Sequence, residues 1–114
     1  MRTLITSDVF SPAAELTHFA VLRNEAAGAL ASFVGYCRGD GGVERLELEH
    51  YPGFTEAEVR RLAQSVATRH ALLDLLVIHR VGAIPAGDPI VLIAALSRPT
   101  RQPRARNRQR RRGA

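Results

Sequence analysis

Apolar residues recur along the chain with two different periods, and the change of period marks the elements. Residues 3–9 (TLITSDV) read as a short strand. Ser11 and Pro12 then form a helix start, a hydroxyl able to cap orphan amides followed by proline at the first helical position. Leu16, Phe19, Ala20 and Arg23 fall on one face at helical spacing, which predicts a helix over about 12–23. Residues 27–37 (AGALASFVGYC) are small and apolar around Phe33 and Val34 and suit a buried strand, with Gly28 and Gly35 marking close backbone approach. After the glycine loop at 39–42, residues 43–51 (VERLELEHY) alternate as a strand does, and the two strands flanking that loop could pair as a hairpin.

The second half repeats the logic. Tyr51, Pro52 and Gly53 signal a turn. Thr55, Glu56, Ala57 and Glu58 have the form of a capping box, with the Thr hydroxyl serving the amide three residues on. The helix so started, about 55–71, carries Val59, Leu62, Ala63, Val66 and His70 along one face. Residues 73–81 (LDLLVIHRV) form the next strand, 84–89 (IPAGDP) a loop, and 90–96 (IVLIAAL) a fully buried strand. The order is β-α-β-β-α-β-β, and mixed strands and helices with one antiparallel hairpin place the chain in the α+β class.

Composition divides the chain in two. Residues 1–97 hold eight arginines and all eleven acids, a net charge of −3; residues 98–114 hold eight arginines and no acid. The overall +5 therefore belongs to the tail, and 98–114 has no apolar periodicity and reads as disordered. One domain, 1–97, precedes it. The single cysteine, Cys37, allows no disulfide within the chain and no zinc site by itself, which fits a reducing, cytoplasmic setting. No apolar run approaches the ~20 residues of a membrane span.

Four strings go beyond periodicity. LEHYPGFTE (48–56), VIHRVG (77–82), GDPIVLIAALS (87–97) and GALASFVGYCRGDGG (28–42) occur in the order and spacing of the molybdopterin synthase large subunits, and the chain resembles that family over about residues 3–97. The resemblance implies an α/β hammerhead-type fold: a mixed sheet with two main helices. It implies a homodimer within a heterotetramer, each copy binding a small ubiquitin-like subunit with a thiocarboxylate on its last glycine. It implies transfer of two sulfurs to cyclic pyranopterin monophosphate, with no cofactor or metal in the large subunit. An anionic cyclic phosphate calls for fixed cations, and arginine's planar fork suits it.

On that resemblance Arg38 is the pocket arginine, with Tyr36 and Cys37 beside it in the substrate-contacting stretch. Read from the residues alone, Arg38 is a solvated loop side chain, Tyr36 a core aromatic and Cys37 an inert buried thiol. His79 and Arg80 point to opposite sides of one strand and suit a structural or interface role; the plain reading is a hydrogen-bonded histidine and an edge arginine. His50 belongs to the same structural class, since Glu49 and His50, as strand neighbours, face apart.

The resemblance stops after Ser97. The family continues with a His-Arg pair, a Lys-bearing helix and a Trp-Lys stretch, whereas all sixteen basic residues here are arginine and Trp is absent. The catalytic lysines have no counterpart. A reading frame shifted after about codon 97 would explain the abrupt Arg/Pro/Gln composition, and the other frames of the gene test it. Two alternatives accompany the transferase: a catalytically dead scaffold for the small subunit, and a nucleic-acid binder using the arginine tail.

Overall fold

The computed structural model describes residues 1–21, 26–42 and 44–99. The tail from Thr100 onward, and Arg23 of the expected helix face, lie outside the described residues. Six strands and two helices follow in the order β1 (Arg2–Thr6), α1 (Pro12–Val21), β2 (Ala29–Tyr36), β3 (Arg45–Leu48), α2 (Phe54–Arg69), β4 (Asp74–Arg80), β5 (Gly82–Pro85) and β6 (Pro89–Ser97). A mixed four-stranded sheet has the order β1-β4-β6-β2, and β3 and β5 form a separate pair. β1 runs parallel to β4, while β6 is antiparallel to both β4 and β2. The architecture is α+β.

Several expectations change. The 27–37 segment is not the buried strand expected: β2 is an edge strand with six of its eight residues exposed. The strand expected over 43–51 is confined to Arg45–Leu48. The hairpin across the glycine loop does not form: β2 pairs with β6 and β3 with β5, both antiparallel. Part of the expected 84–89 loop is strand, because β5 takes up Gly82–Pro85. The physical reason is the difference in charge between the two segments. Residues 29–36 are an uncharged run whose best partner is the equally apolar β6, whereas the charged RLEL of β3 suits a small outlying pair. Ile84, fully buried, anchors that pair.

The core lies on one face of the large sheet. Ile78 of β4 stands opposite Leu92 of β6, both at 0% exposure, with Leu76, Ala94 and Leu96 around them and Phe19 of α1 capping the cluster. Each such aliphatic burial contributes ~1.5–3 kcal/mol. α1 begins as its sequence says: the Ser11 hydroxyl accepts the Ala14 amide at 3.1 Å, and Pro12 opens the helix.

α2 starts one residue earlier than expected and ends two residues sooner. Its N-cap is Gly53, whose φ of 84° is one that glycine alone adopts freely. Glu56 reaches back to the Gly53 amide at 2.8 Å, so the acidic half of a capping box is present. Glycine has no side chain to complete it, and the Thr55 hydroxyl accepts the Tyr51 amide at 3.0 Å instead of capping the helix. The helix ends over His70, and Ala71 follows in the left-handed region at φ 51°.

α2 packs on the sheet face opposite α1, over β1 and β4. Ala63 is buried, but Leu62 (54% exposed) and Val66 are not covered. Beside them opens an apolar groove of about 270 Å³ whose sheet wall is Leu75, Val77 and Ile93, and Phe33 further along that face is 60% exposed. The expected apolar stripe of α2 exists, and half of it faces outward. Gly28 shows the close approach expected of it: a β-carbon there would meet the Pro99 backbone at 2.5 Å, and its amide donates to the Ser97 carbonyl at 2.7 Å.

These burial differences predict unequal losses. Leu92→Ala lowers unfolding free energy by about 3 kcal/mol and Leu62→Ala by less than about 1 kcal/mol, read from urea denaturation midpoints.

Candidate functional site

The stretch Tyr36–Arg38 sits where β2 leaves the sheet. Along β2 the register with β6 is regular to Gly35↔Val91 and then slips by one, so that Tyr36 faces Pro89. Pro89 has no amide to donate, so the ladder cannot continue in its ordinary form. The backbone around it takes over. The Cys37 amide donates to the Asp88 carbonyl at 2.8 Å, and the Gly87 amide donates to the Cys37 carbonyl at 2.8 Å. Cys37 is held on both sides by the turn that precedes β6.

The slip decides where three consecutive side chains go. Tyr36 is 55% exposed and is not a core aromatic. Cys37 is buried at 4%, its thiol 3.9 Å from the Arg38 carbonyl. Arg38 is exposed. The structure thus places a phenol and a guanidinium on the surface on either side of a buried thiol. Two grooves among the described residues lie elsewhere, one beside Arg2, Glu15, His18 and Asp74 and another along Arg60, Gln64 and Arg69 of α2. Residues 36–38 form an open surface rather than the wall of any of these.

Arg80 departs most from its expected place. It is no edge arginine: β4 is an inner strand, and Arg80 at its end is 7% exposed. Its Nη1 donates to Asp88 Oδ2 at 2.8 Å, while its Nε is buried with no hydrogen-bond partner among the described residues. Asp88, the acid of the expected loop, is the residue that sequence reasoning missed. A signal existed, since Asp88 is the only carboxylate after Asp74 in the whole sequence. His79, on the other side of β4, donates from Nδ1 to the Arg80 carbonyl at 2.8 Å, the hydrogen-bonded strand histidine that was expected.

His50 lies apart from this site. Its Nε2 donates to Glu56 Oε2 at 2.9 Å, and the neighbouring Tyr51 hydroxyl donates to Glu49 at 2.6 Å. Backbone amides at the start of α2, its own first, then the His50 side chain and the Gly53 amide, hold the Glu56 carboxyl below its ordinary 4.5. The Glu49 carboxylate accepting its proton pushes the Tyr51 phenol up. Glu49 and His50 lie beyond the end of β3 at Leu48, outside the strand expected to carry them, and each finds its own partner. No group of three or more potential metal ligands occurs among the described residues, and none of their helices is long and apolar enough to cross a membrane.

The order of strings and the fold that carries them match one family. The model for "MoaE protein" covers residues 5–106. The chain belongs to the MoaE family. Among its MoaE relatives, the molybdopterin synthase catalytic subunit of Caulobacter vibrioides is 43% identical over 95 residues, 82% of this chain and 63% of that protein. The MoaE protein from Burkholderia ambifaria superposes with a TM-score of 0.71 at 36% identity, covering 85% of this chain and 64% of that one. Molybdopterin synthase from Staphylococcus aureus superposes at 0.69 with 26% identity, over 90% and 74% of the two chains. The chain spans less than two thirds of the length of the Caulobacter and Burkholderia proteins.

The lowered Glu56 carboxyl carries a sign. A group whose pKa is depressed on folding stabilises the fold above its unfolded value and loses that contribution as pH falls through the folded one. Glu56→Gln therefore lowers the thermal midpoint at pH 7, and the gap between variant and parent closes as pH is taken below 4.5.

Proposed function

We propose that this chain is the substrate- and partner-binding portion of a molybdopterin synthase large subunit, acting in molybdenum cofactor biosynthesis in the cytoplasm. The observation that carries the reading is the exposed Arg38 at the end of β2, with Cys37 fixed by two backbone hydrogen bonds directly behind it, in a chain of the MoaE family. An arginine on a fixed backbone is prepared to take a phosphate through two parallel charge-assisted hydrogen bonds. The ligand in this reading is cyclic pyranopterin monophosphate. Tyr36, exposed beside Arg38, supplies a ring to stack on the pterin and a hydroxyl to bond it. Cys37 contributes its backbone, which sets the direction of both neighbours.

The sulfur donor in this reading is a ubiquitin-like small subunit whose terminal glycine carries a thiocarboxylate. Its sulfur attacks a substrate carbon and displaces an oxygen substituent; water then cleaves the acyl–sulfur bond, leaving the sulfur on the substrate and a carboxylate on the small subunit, and a second such transfer gives the dithiolene. The large subunit works as a homodimer within a heterotetramer. Opening of the cyclic phosphate and departure of the spent carboxylate both need a group that gives and takes protons near neutral pH. Arginine holds its proton too tightly for that, and the chain has no lysine. A second reading follows from this one fact: the chain holds substrate and small subunit without turning them over. The nucleic-acid reading rests on the arginines of 98–114, most of which lie outside the described residues, and nothing in the fold supports it.

Mixed with thiocarboxylated small subunit and cyclic pyranopterin monophosphate, the purified 114-residue chain is expected to co-purify with the small subunit and to form no dithiolene. Arg38→Ala should weaken binding of cyclic pyranopterin monophosphate about tenfold, the worth of one charge-assisted pair. Robust dithiolene formation overturns the assignment of proton transfer to lysine; undiminished binding by Arg38→Ala overturns the site.

A further inference from the structure

At one end of the large sheet, three strands are tied together by a relay that ends at Arg38. Arg80 closes β4, Asp88 precedes β6, and Cys37 follows β2, in the spatial order β4-β6-β2. The Arg80 guanidinium holds the Asp88 carboxylate at 2.8 Å. The main chain of Asp88 and Gly87 then holds Cys37 through its amide and its carbonyl, each at 2.8 Å. Arg38 is the next residue. We infer that the Arg80–Asp88 ion pair is a positioning device for Arg38: it fixes the turn that in turn fixes the backbone from which Arg38 projects.

Three features favour positioning over plain stabilisation. Ladder hydrogen bonds cannot do the job here, because the register slips at Tyr36 and Pro89 has no amide to give. Backbone bonds tie the turn at 86–88 to its near neighbours, Ala86 to the Glu44 carbonyl and Asp88 to the Pro85 carbonyl, and the Asp88 side chain adds the tie to the inner strand β4 through Arg80. The pair is also an expensive way to add stability. Its arginine is 91% buried by side chain, and its Nε has no partner among the described residues. A buried ion pair in such a setting is weak evidence for stability, and its better-attested use is to select one arrangement among several. Finally, the pair reaches the surface on one side only: Asp88 is one-third exposed and Arg80 is not, so the fixed end is the strand and the end it controls is the turn.

The inference rests on the reading of Arg38 as the phosphate-binding residue, and two readouts on the full chain keep the two claims apart. The first is backbone amide exchange by NMR. Asp88→Asn keeps the shape and the carbonyl but removes the charge, and Arg80→Met removes it from the other side. In both, the Cys37 and Gly87 amides should exchange at least tenfold faster, while the central amides of Ile78 and Leu92 keep their rates. Arg80→Lys, which retains the charge, should restore most of the protection.

The second readout is calorimetric binding of cyclic pyranopterin monophosphate. Asp88→Asn should weaken it by about as much as Arg38→Ala, and the double variant should be no weaker than Arg38→Ala alone. Unchanged exchange at Cys37, equal behaviour of Arg80→Met and Arg80→Lys, or fully additive binding losses each overturn the positioning role. Faster exchange at Cys37 together with no effect of Arg38→Ala, or with no binding by the unsubstituted chain, overturns the reading of Arg38 and leaves the clamp as a fact about the turn alone.

Discussion

The pairing of β4 with β6 is the constraint on which the rest of the structure hangs. Ile78 and Leu92 meet across that ladder with no exposure at all, and every other strand of the large sheet is added to one side or the other of this pair. β1 joins β4 in parallel and β2 joins β6 in antiparallel sense. Non-local pairing of this kind must bring together segments far apart in the chain before any burial rewards it. Once made, it leaves the ends of three strands side by side, and the candidate site is assembled from those ends rather than from a single loop.

The site residues divide by what fixes them. Arg38 and Tyr36 reach the surface because the register slip turns the chain over between Gly35 and Cys37. Arg80 and Asp88 never come near the surface together, yet they decide where the turn behind Cys37 stands. Pro89 at the start of β6 leaves one ladder bond unmade, and a side-chain pair joins the backbone bonds of the turn in its place. The uncovered face beside α2 is a separate matter: Phe33, Ile93, Leu62 and Val66 share it, and it is apolar without being closed.

Much of this was legible in the sequence, and the failures have physical causes. The Ser11–Pro12 start, a strand at 90–96 and the close approach at Gly28 are local effects, encoded within a few residues, and all three stand, although the strand is not fully buried, with Ile93 exposed. The proposed hairpin between 27–37 and 43–51 was wrong because a glycine loop shows that a chain can turn, not which strand it will pair with. That choice was made by the more apolar β6, far along the chain. The cap of α2 was misassigned because Thr55 and Gly53 compete for the same start, and the Tyr51 amide claimed the hydroxyl. Arg80 read as an edge residue because its partner lay in what looked like loop. Motif resemblance pointed to Arg38; only coordinates show what holds it.

The corner after α2 illustrates how two opposed costs settle. Ala71 takes a left-handed conformation that an ordinary residue enters at a cost of roughly 1–2 kcal/mol. Glycine would remove that torsional penalty, but would also give the unfolded chain more freedom, worth about 0.4–1 kcal/mol in the opposite direction. The difference is small enough for a methyl group to persist where helix endings usually carry none, and the tight reversal into β4 is kept by a residue that also makes the denatured chain stiffer.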